Sequence, residues 1–62
     1  MLYENIVKYC KEHDKSISQF EQECGLGNGV ISQWQDDKSL PNLKTLNKIA
    51  EKTKVPVAKW LD

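Results

Sequence analysis

The stretch SISQFEQECGLGNGVISQW, residues 16–34, decides the fold of this chain of 62 residues. Ser16 has the chemistry of a helix N-cap, and Gln19, three residues later, completes a capping box. A helix is therefore predicted over about 17–24. Its apolar residues recur at helical spacing and are expected in the core: Ile17, Phe20 and Cys24. Gly25 suits the left-handed backbone position that ends a helix, so the chain is expected to turn there.

A second helix is predicted after this turn, over approximately 28–36. Gly27 or Asn28 can cap its start, and Ile31 and Trp34, three residues apart, are expected to face the core. Apolar anchors in both helices and a glycine in the turn between them are typical of a helix-turn-helix. In that geometry the second helix is held outward, and its first residues can enter a DNA major groove.

The exposed positions at the start of this helix carry groups that can read the edges of bases. Asn28 and Gln33 can each form two hydrogen bonds with adenine, and Ser32 can donate to or accept from several base edges. Gly29 permits a close approach of the DNA, and Val30 can touch a thymine methyl group. Gln33 and Asn28 are the strongest candidates for base reading.

Helical spacing continues on both sides of this stretch, and no segment alternates apolar and polar residues for long enough to predict a strand. One helix is predicted over about 2–13 and another over about 42–53. The core-facing residues of the later helix are expected to be Leu43, Leu46, Ile49 and Ala50. A final helix, with Pro56 in its first turn, contains Val57, Trp60 and Leu61. Five short helices with short connections predict one compact all-α domain over residues 1–62.

Length and composition restrict the class of protein. A chain of 62 residues fits one domain, and it is too short for a TIM barrel, a full dinucleotide-binding domain or a kinase. The apolar runs are too short for a membrane span or a signal-peptide core. Two cysteines, Cys10 and Cys24, are too few for a disulfide scaffold, so a reducing, cytoplasmic setting is expected.

Charge is balanced over the whole chain but not along it. The chain contains nine lysines, no arginine and nine acidic residues, which gives zero net charge. Residues 1–37 have a balance of −4 and residues 38–62 a balance of +4. A nucleic-acid binder usually has a basic surplus, because phosphate contacts supply most of the non-specific affinity. Zero net charge therefore counts against strong DNA binding. The uneven distribution leaves two readings open, a basic face or lysines that only solvate helix surfaces.

The ordered set of segments resembles the lambda-repressor-like helix-turn-helix regulators, also called the Xre or Cro/C1 type. The likeness extends from Ile6 to Leu61. Four segments carry this likeness. SISQF (16–20) is similar to the start of the family's positioning helix, and CGLGNGVISQW (24–34) is similar to its turn and recognition helix. LPNLKTLNKIA (40–50) is similar to the helix that follows, and VPVAKWL (55–61) to the closing helix. The resemblance implies a five-helix lambda-repressor-like domain. It also implies a bacterial or phage transcriptional regulator, repressor in type, that binds double-stranded DNA sequence-specifically, usually as a dimer on a palindromic operator.

Carried over position by position, the resemblance implies two groups of DNA contacts. The base contacts fall on Asn28, Gly29, Ser32 and Gln33. The contacts to the DNA backbone fall on Ser18, Gln19, Lys38 and Asn42. The first two of these stand at the start of the positioning helix, and the last two follow the recognition helix.

The chain also departs from the family's pattern. Glu21 stands where many members have a small residue packed against the recognition helix, and Gly27 replaces the more usual serine cap. Asp36 and Asp37 occupy positions where basic residues or glycine are common, and each is expected to repel phosphate. The absence of arginine removes the side chain that most often reads guanine.

A protein-binding module is the alternative function. Small helix-turn-helix folds also serve as antitoxins, anti-repressors or adaptors, and the neutral charge and acidic first half favour that reading. A homodimer is compatible with the sequence, through Trp60 or Leu61 on the last helix, and so is a monomer. The chain is also compatible with being one domain of a longer regulator. No small-molecule effector is evident.

Enzymatic and metal-binding readings have little support in the sequence. Cys10, Cys24 and His13 lack a fourth partner for zinc, so no metal and no cofactor are expected. One thiol is expected to be buried and the other partly exposed. No Ser/His/Asp set, carboxylate pair or phosphate-binding loop accompanies them, and we expect no enzymatic activity. Trp34 and Trp60 lie on inward helical stripes, which favours the core over base stacking.

Overall fold

The described part of the chain, residues 2–37 and 39–62 of a computed structural model, forms helices and no strand; the side chains of residues 36 and 37 are outside it. The α-helices are α1 (Leu2–Glu12), α2 (Ile17–Glu23), α3 (Leu43–Thr53) and α4 (Val57–Leu61), and a 3-10 helix, η1 (Ile31–Asp37), lies between α2 and α3. The all-α class is confirmed. There are four α-helices rather than five helices of one kind, because the third helical element is a 3-10 helix.

The capping box predicted for α2 is confirmed. The backbone N–H of Gln19 donates to Ser16 Oγ over 3.1 Å, and the backbone N–H of Ser16 donates to Gln19 Oε1 over 2.9 Å. At the other end, Gly25 adopts a left-handed φ of 71°, as the sequence predicts. The backbone N–H of Leu26 then donates to the Glu21 carbonyl over 2.7 Å, which closes the last turn of α2.

The helix predicted over 28–36 begins three residues later than expected, and it is a 3-10 helix. Gly29 has a φ of 80°, which no right-handed helix accommodates, so residues 28–30 form a turn instead. In a 3-10 helix the residues at i and i+3 lie on the same side. Ile31 and Trp34 share that side and are both buried, as predicted.

A single core joins the helices. Its buried apolar residues are Leu2, Ile6, Cys10, Phe20, Cys24, Ile31, Trp34, Leu46, Ile49 and Trp60. Three aromatic rings pack edge to face inside it, with centroids 5.6 Å apart for Tyr9 and Phe20, 5.5 Å for Tyr9 and Trp60, and 6.0 Å for Phe20 and Trp60. The prediction that both tryptophans belong to the core is confirmed.

Two predicted apolar anchors lie outside the core. Leu43 is 67% exposed because it is the first residue of α3. Leu46 and Ile49, one and two turns later in the same helix, are the residues that contact the core. Leu61 is 52% exposed at the last position of α4. The rest of α4 is held to α1 by Asn5, whose Nδ2 donates to the carbonyl of Trp60 over 2.8 Å. This bond satisfies one of the carbonyls that a helix leaves unpaired at its C-terminus.

Candidate nucleic-acid interface

The segment between the turn and the first residues of η1 presents the predicted base-reading groups to solvent. We call residues 28–33 the reading segment. Asn28, Gly29, Ser32 and Gln33 are all exposed, while Ile31 within the same segment is completely buried. The buried Ile31 and Trp34 anchor the inner side of η1, so the polar side chains are left on its outer side. The structure thus brings the four candidates together on one short, anchored segment.

Glu21 on α2 holds the reading segment from behind. Its side chain is 2% exposed. Oε1 accepts a hydrogen bond from the backbone N–H of Gly29 over 3.1 Å, and Oε2 accepts one from the backbone N–H of Ile31 over 2.9 Å. The sequence analysis treated Glu21 only as a departure from the family's pattern and missed this contact. The signal that points to it is Gly27, which offers no side chain to cap the start of the helix.

Gly29 contributes shape rather than a hydrogen-bond donor. Its backbone N–H is taken by Glu21, and its carbonyl accepts the hydroxyl of Ser32 over 2.7 Å. A Cβ atom built at Gly29 would meet nothing within 4 Å, so the space outside this position is open. Its left-handed φ nevertheless favours glycine, because other residues rarely adopt it.

The hydrogen bond from Ser32 to the Gly29 carbonyl limits how the Ser32 hydroxyl can bind a ligand. A serine hydroxyl has one hydrogen to donate and two lone pairs to accept with. In this geometry the hydrogen is used within the chain. The sequence left open whether Ser32 donates or accepts; in this structure it presents an acceptor. Among base edges in the major groove, adenine N6 and cytosine N4 are the matching donors.

Three of the four residues predicted to contact the DNA backbone lie at helix starts. Ser18 and Gln19 are exposed in the first turn of α2, and Asn42 caps α3 by accepting from the backbone N–H of Thr45 over 2.9 Å. The side-chain oxygens of Gln19 and Asn42 are thus used in capping, which leaves their amide nitrogens as the donors that suit phosphate oxygens. Lys38 lies outside the described residues, as do the side chains of Asp36 and Asp37 from which repulsion is expected.

The basic half of the chain puts lysines along one side of α3. Lys44, Lys48 and Lys52 are exposed at intervals of four residues, and positions four apart are neighbours on a helix surface. Lys48 and Lys52 line a surface depression together with Glu23, Glu51 and Gly25. Positive and negative side chains therefore both lie beside the turn of the helix-turn-helix.

The acidic half contains one ion pair among the described residues. Lys15 Nζ donates to Glu23 Oε1 over 2.5 Å. This hydrogen bond raises the pKa of the Lys15 ammonium, and the pair is exposed enough that water screens it. Lys15 and Glu23 neutralise each other on the surface next to α2.

Both thiols are buried, which corrects the expectation that one is partly exposed. Cys24 is covered because it ends α2 on the side that faces the core. Burial raises the pKa of Cys10 and of Cys24, so both are protonated at neutral pH and are poor nucleophiles. His13 is exposed, and its ring packs on Tyr9 with centroids 4.1 Å apart. Among the side chains of residues 2–35 and 39–62, no three His, Cys, Asp or Glu residues form a group that could hold a metal ion.

Comparison with known proteins agrees with this architecture. The sequence model of a helix-turn-helix family matches residues 6–60, which covers every helix from the middle of α1 to α4. No curated protein and no solved structure gives a match. None of the helices in the described part of the chain has the length and apolar character needed to cross a membrane. The chain belongs to the lambda-repressor-like, Cro/C1-type helix-turn-helix family of DNA-binding regulators.

Proposed function

We propose that this protein is a transcriptional regulator of the repressor type, which binds double-stranded DNA with its reading segment in the major groove. The observation that carries the proposal is the division of that segment into two sides. Ile31 is completely buried and Trp34 follows it in the core, while Asn28, Ser32 and Gln33 are exposed. A short element with an anchored apolar side and an outward row of amide and hydroxyl groups suits the edges of bases.

The exposed amide and hydroxyl groups of the reading segment favour adenine. Asn28 and Gln33 carry amides, which pair with N6 and N7 of adenine through two hydrogen bonds. Ser32, as an acceptor, matches an amino group, on adenine or cytosine. The chain contains no arginine, the most frequent partner of guanine. We therefore expect an operator that is rich in A·T pairs where the reading segment meets it.

The contacts to the DNA backbone are expected from Ser18, Gln19, Lys38 and Asn42, with Gly29 permitting close approach. Lys38 is the one cation among these residues, and the whole chain has zero net charge. Since cation–phosphate contacts determine the salt dependence of binding, we expect weak non-specific affinity and a shallow salt dependence. A single copy contacts few base pairs, so two copies on a palindromic operator are expected to give the working affinity.

An NMR titration of the isotope-labelled protein tests this function. Random duplex DNA is added at low salt and the titration is repeated at about 200 mM salt. We expect shifts concentrated on residues 28–33, Gln19 and Asn42 that weaken at the higher salt. Duplexes selected from a random pool are then expected to bind more tightly than the pool and to be rich in A·T pairs.

A protein-binding module is the second candidate, and one observation favours it. Leu40 is 60% exposed and Leu43 is 67% exposed, and Pro41 between them is half-buried. Exposed leucines so close together are a common feature of contact surfaces between proteins. The titration separates the two functions, because absence of any shift at low salt contradicts DNA binding and leaves recognition of another protein as the leading function.

A further inference from the structure

We propose that Glu21 is a positioning residue of the DNA interface, because its carboxylate, rather than a side chain within the turn, fixes the reading segment in the orientation that reads bases. The proposal rests on the DNA binding proposed above. Its structural part can be measured without DNA. No substitution at Glu21 is expected to touch a base directly, since the side chain lies behind the segment and is 2% exposed.

The geometry is that of a clamp with two contacts. One carboxylate oxygen accepts from the N–H of Gly29 and the other from the N–H of Ile31, over 3.1 and 2.9 Å. These two amides stand on either side of Val30, so the carboxylate restrains both rotation and translation of the backbone at the start of η1. Hydrogen bonds to a charged acceptor are about twice as strong as neutral ones.

The turn itself is rich in glycine. Three glycines, Gly25, Gly27 and Gly29, occur within five residues, and glycine has the largest conformational freedom of any residue. Neither Gly27 nor Gly29 has a side chain that can cap the helix, and the Glu21 carboxylate takes the amides that such a cap would satisfy. Part of the restraint on this glycine-rich turn is therefore supplied from α2, by the side chain of Glu21 and by its carbonyl, which accepts from Leu26.

The clamp acts on the groups that are proposed to read DNA. Asn28 directly precedes Gly29 in the chain, and Ser32 directly follows Ile31. The hydroxyl of Ser32 is also bonded to the carbonyl of Gly29, whose amide Glu21 holds. Because recognition groups have to be held to within about 0.5 Å, loss of the clamp is expected to weaken sequence-specific contacts more than non-specific ones.

A buried carboxylate is also an unusual way to close a turn. Burying a charge costs free energy unless hydrogen bonds or an opposite charge compensate for it. Among the described side chains, those of residues 2–35 and 39–62, no cation pairs with Glu21, and its carboxylate is bonded to the two backbone amides. Departures from simple folding rules concentrate at functional sites, which is where this one lies.

Four variants test the proposal: Glu21→Gln, Glu21→Ala, Glu21→Ala combined with Gly27→Ser, and Glu23→Gln. The glutamine keeps the shape of the side chain but has one acceptor oxygen instead of two. Serine at position 27 supplies a local cap, and it fits there because an added Cβ meets nothing within 4 Å. Glu23→Gln is the matched control, since it removes a negative charge from the exposed side of the same helix.

Two measurements are made on each variant. The first is amide hydrogen exchange at Gly29 and Ile31, followed by NMR without DNA. The second is the ratio of affinities for a selected duplex and for a scrambled duplex of the same composition. We expect Glu21→Ala to speed exchange at both amides and to lower the affinity ratio about tenfold, with Glu21→Gln intermediate. The added Gly27→Ser change is expected to restore part of the slow exchange and part of the affinity ratio. Glu23→Gln is expected to leave the exchange rates and the affinity ratio within about twofold of the parent values.

The outcomes separate positioning from a merely structural role. If Glu21→Ala and Glu21→Gln speed exchange at the two amides but leave the affinity ratio unchanged, the proposal is wrong. If Glu21→Ala does not fold, Glu21→Gln decides by the same ratio. If the parent protein binds no duplex, the proposed function fails. In that case the exchange data alone decide the clamp, and unchanged exchange at Gly29 and Ile31 in both variants overturns it.

Discussion

The aromatic core and the reading segment of this domain are held in place by different kinds of contact. Tyr9, Phe20 and Trp60 bring α1, α2 and α4 together through the edge-to-face packing of their rings. The reading segment has the buried Ile31 as its apolar anchor and is oriented by directed hydrogen bonds. The amides of Gly29 and Ile31 donate to the Glu21 carboxylate, and the hydroxyl of Ser32 donates to the Gly29 carbonyl. Apolar packing is non-directional and sums over many atoms, whereas each hydrogen bond fixes the orientation of one group. Changes in the core are therefore expected to alter stability, and changes around the reading segment to alter recognition.

The largest expected effect is that of Trp60→Ala in the aromatic core. Truncating a buried aromatic side chain costs about 3–5 kcal/mol, and a domain of this size has little stability to lose. We expect the variant to be largely unfolded at 37 °C, as measured by circular dichroism and urea unfolding. Leu61→Ala is the control, since Leu61 is the next residue and is 52% exposed. A Trp60→Ala variant that unfolds at the same urea concentration as the parent would contradict the account of the core.

The next effect is that of Gln33→Ala in the reading segment. Gln33 is exposed, so the free energy of unfolding is expected to change by less than about 0.5 kcal/mol. The affinity for a selected duplex is expected to fall by about 1–3 kcal/mol, because an amide that pairs with adenine is lost. Urea unfolding measures the stability, and fluorescence anisotropy measures the affinities for the selected and the scrambled duplex. An equal loss on the two duplexes would make Gln33 a backbone contact instead.

Ser32→Ala tests whether one hydroxyl of the reading segment contributes to the choice of base. As an acceptor, Ser32 is expected to favour adenine or cytosine at the base that it meets. Four duplexes that differ at this base are compared, and the spread of their binding free energies is expected to shrink by about 1 kcal/mol in the variant. Ser32→Thr keeps the hydroxyl and should keep the spread. A parent protein that prefers guanine or thymine at this base would show that Ser32 acts as a donor when bound.

The smallest expected effect on specificity is that of Lys38→Ala. A lysine that contacts phosphate adds affinity without reading sequence. We expect the variant to bind the selected and scrambled duplexes more weakly by the same factor. The slope of log affinity against log salt should fall by about one. A change in the ratio of the two affinities would place Lys38 near a base edge.

Most of the helices could be predicted from the sequence because their signals are local. The capping box of Ser16 and Gln19 spans three positions, and Gly25 acts through its own backbone angle. The burial of Phe20, Ile31 and Trp34 follows from apolar spacing within one element. Leu43 was wrong as a core residue, since spacing alone does not say how far along a helix the neighbouring elements reach.

The candidate site was predicted less completely than the helices. The amide and hydroxyl side chains of the reading segment stand out in the sequence as possible partners of bases, and all of them are exposed in the structure. The role of Glu21 does not stand out, because its partners lie 8 and 10 positions away on another element. Whether Ser32 donates or accepts also depends on the local backbone, which places the Gly29 carbonyl 2.7 Å from its hydroxyl.

Local signals in the sequence were enough to predict an all-α chain, the turn after α2, the main core residues and the resemblance to a family of helix-turn-helix regulators. The packed structure was needed to show that the third helix is a 3-10 helix starting at Ile31, and that a buried carboxylate holds the amides of Gly29 and Ile31. It also decided that Asn5 joins the two ends of the chain through the carbonyl of Trp60, 55 positions away. The physical reason is range: caps, turns and apolar spacing act between near neighbours, whereas these contacts exist only after separate elements have packed together.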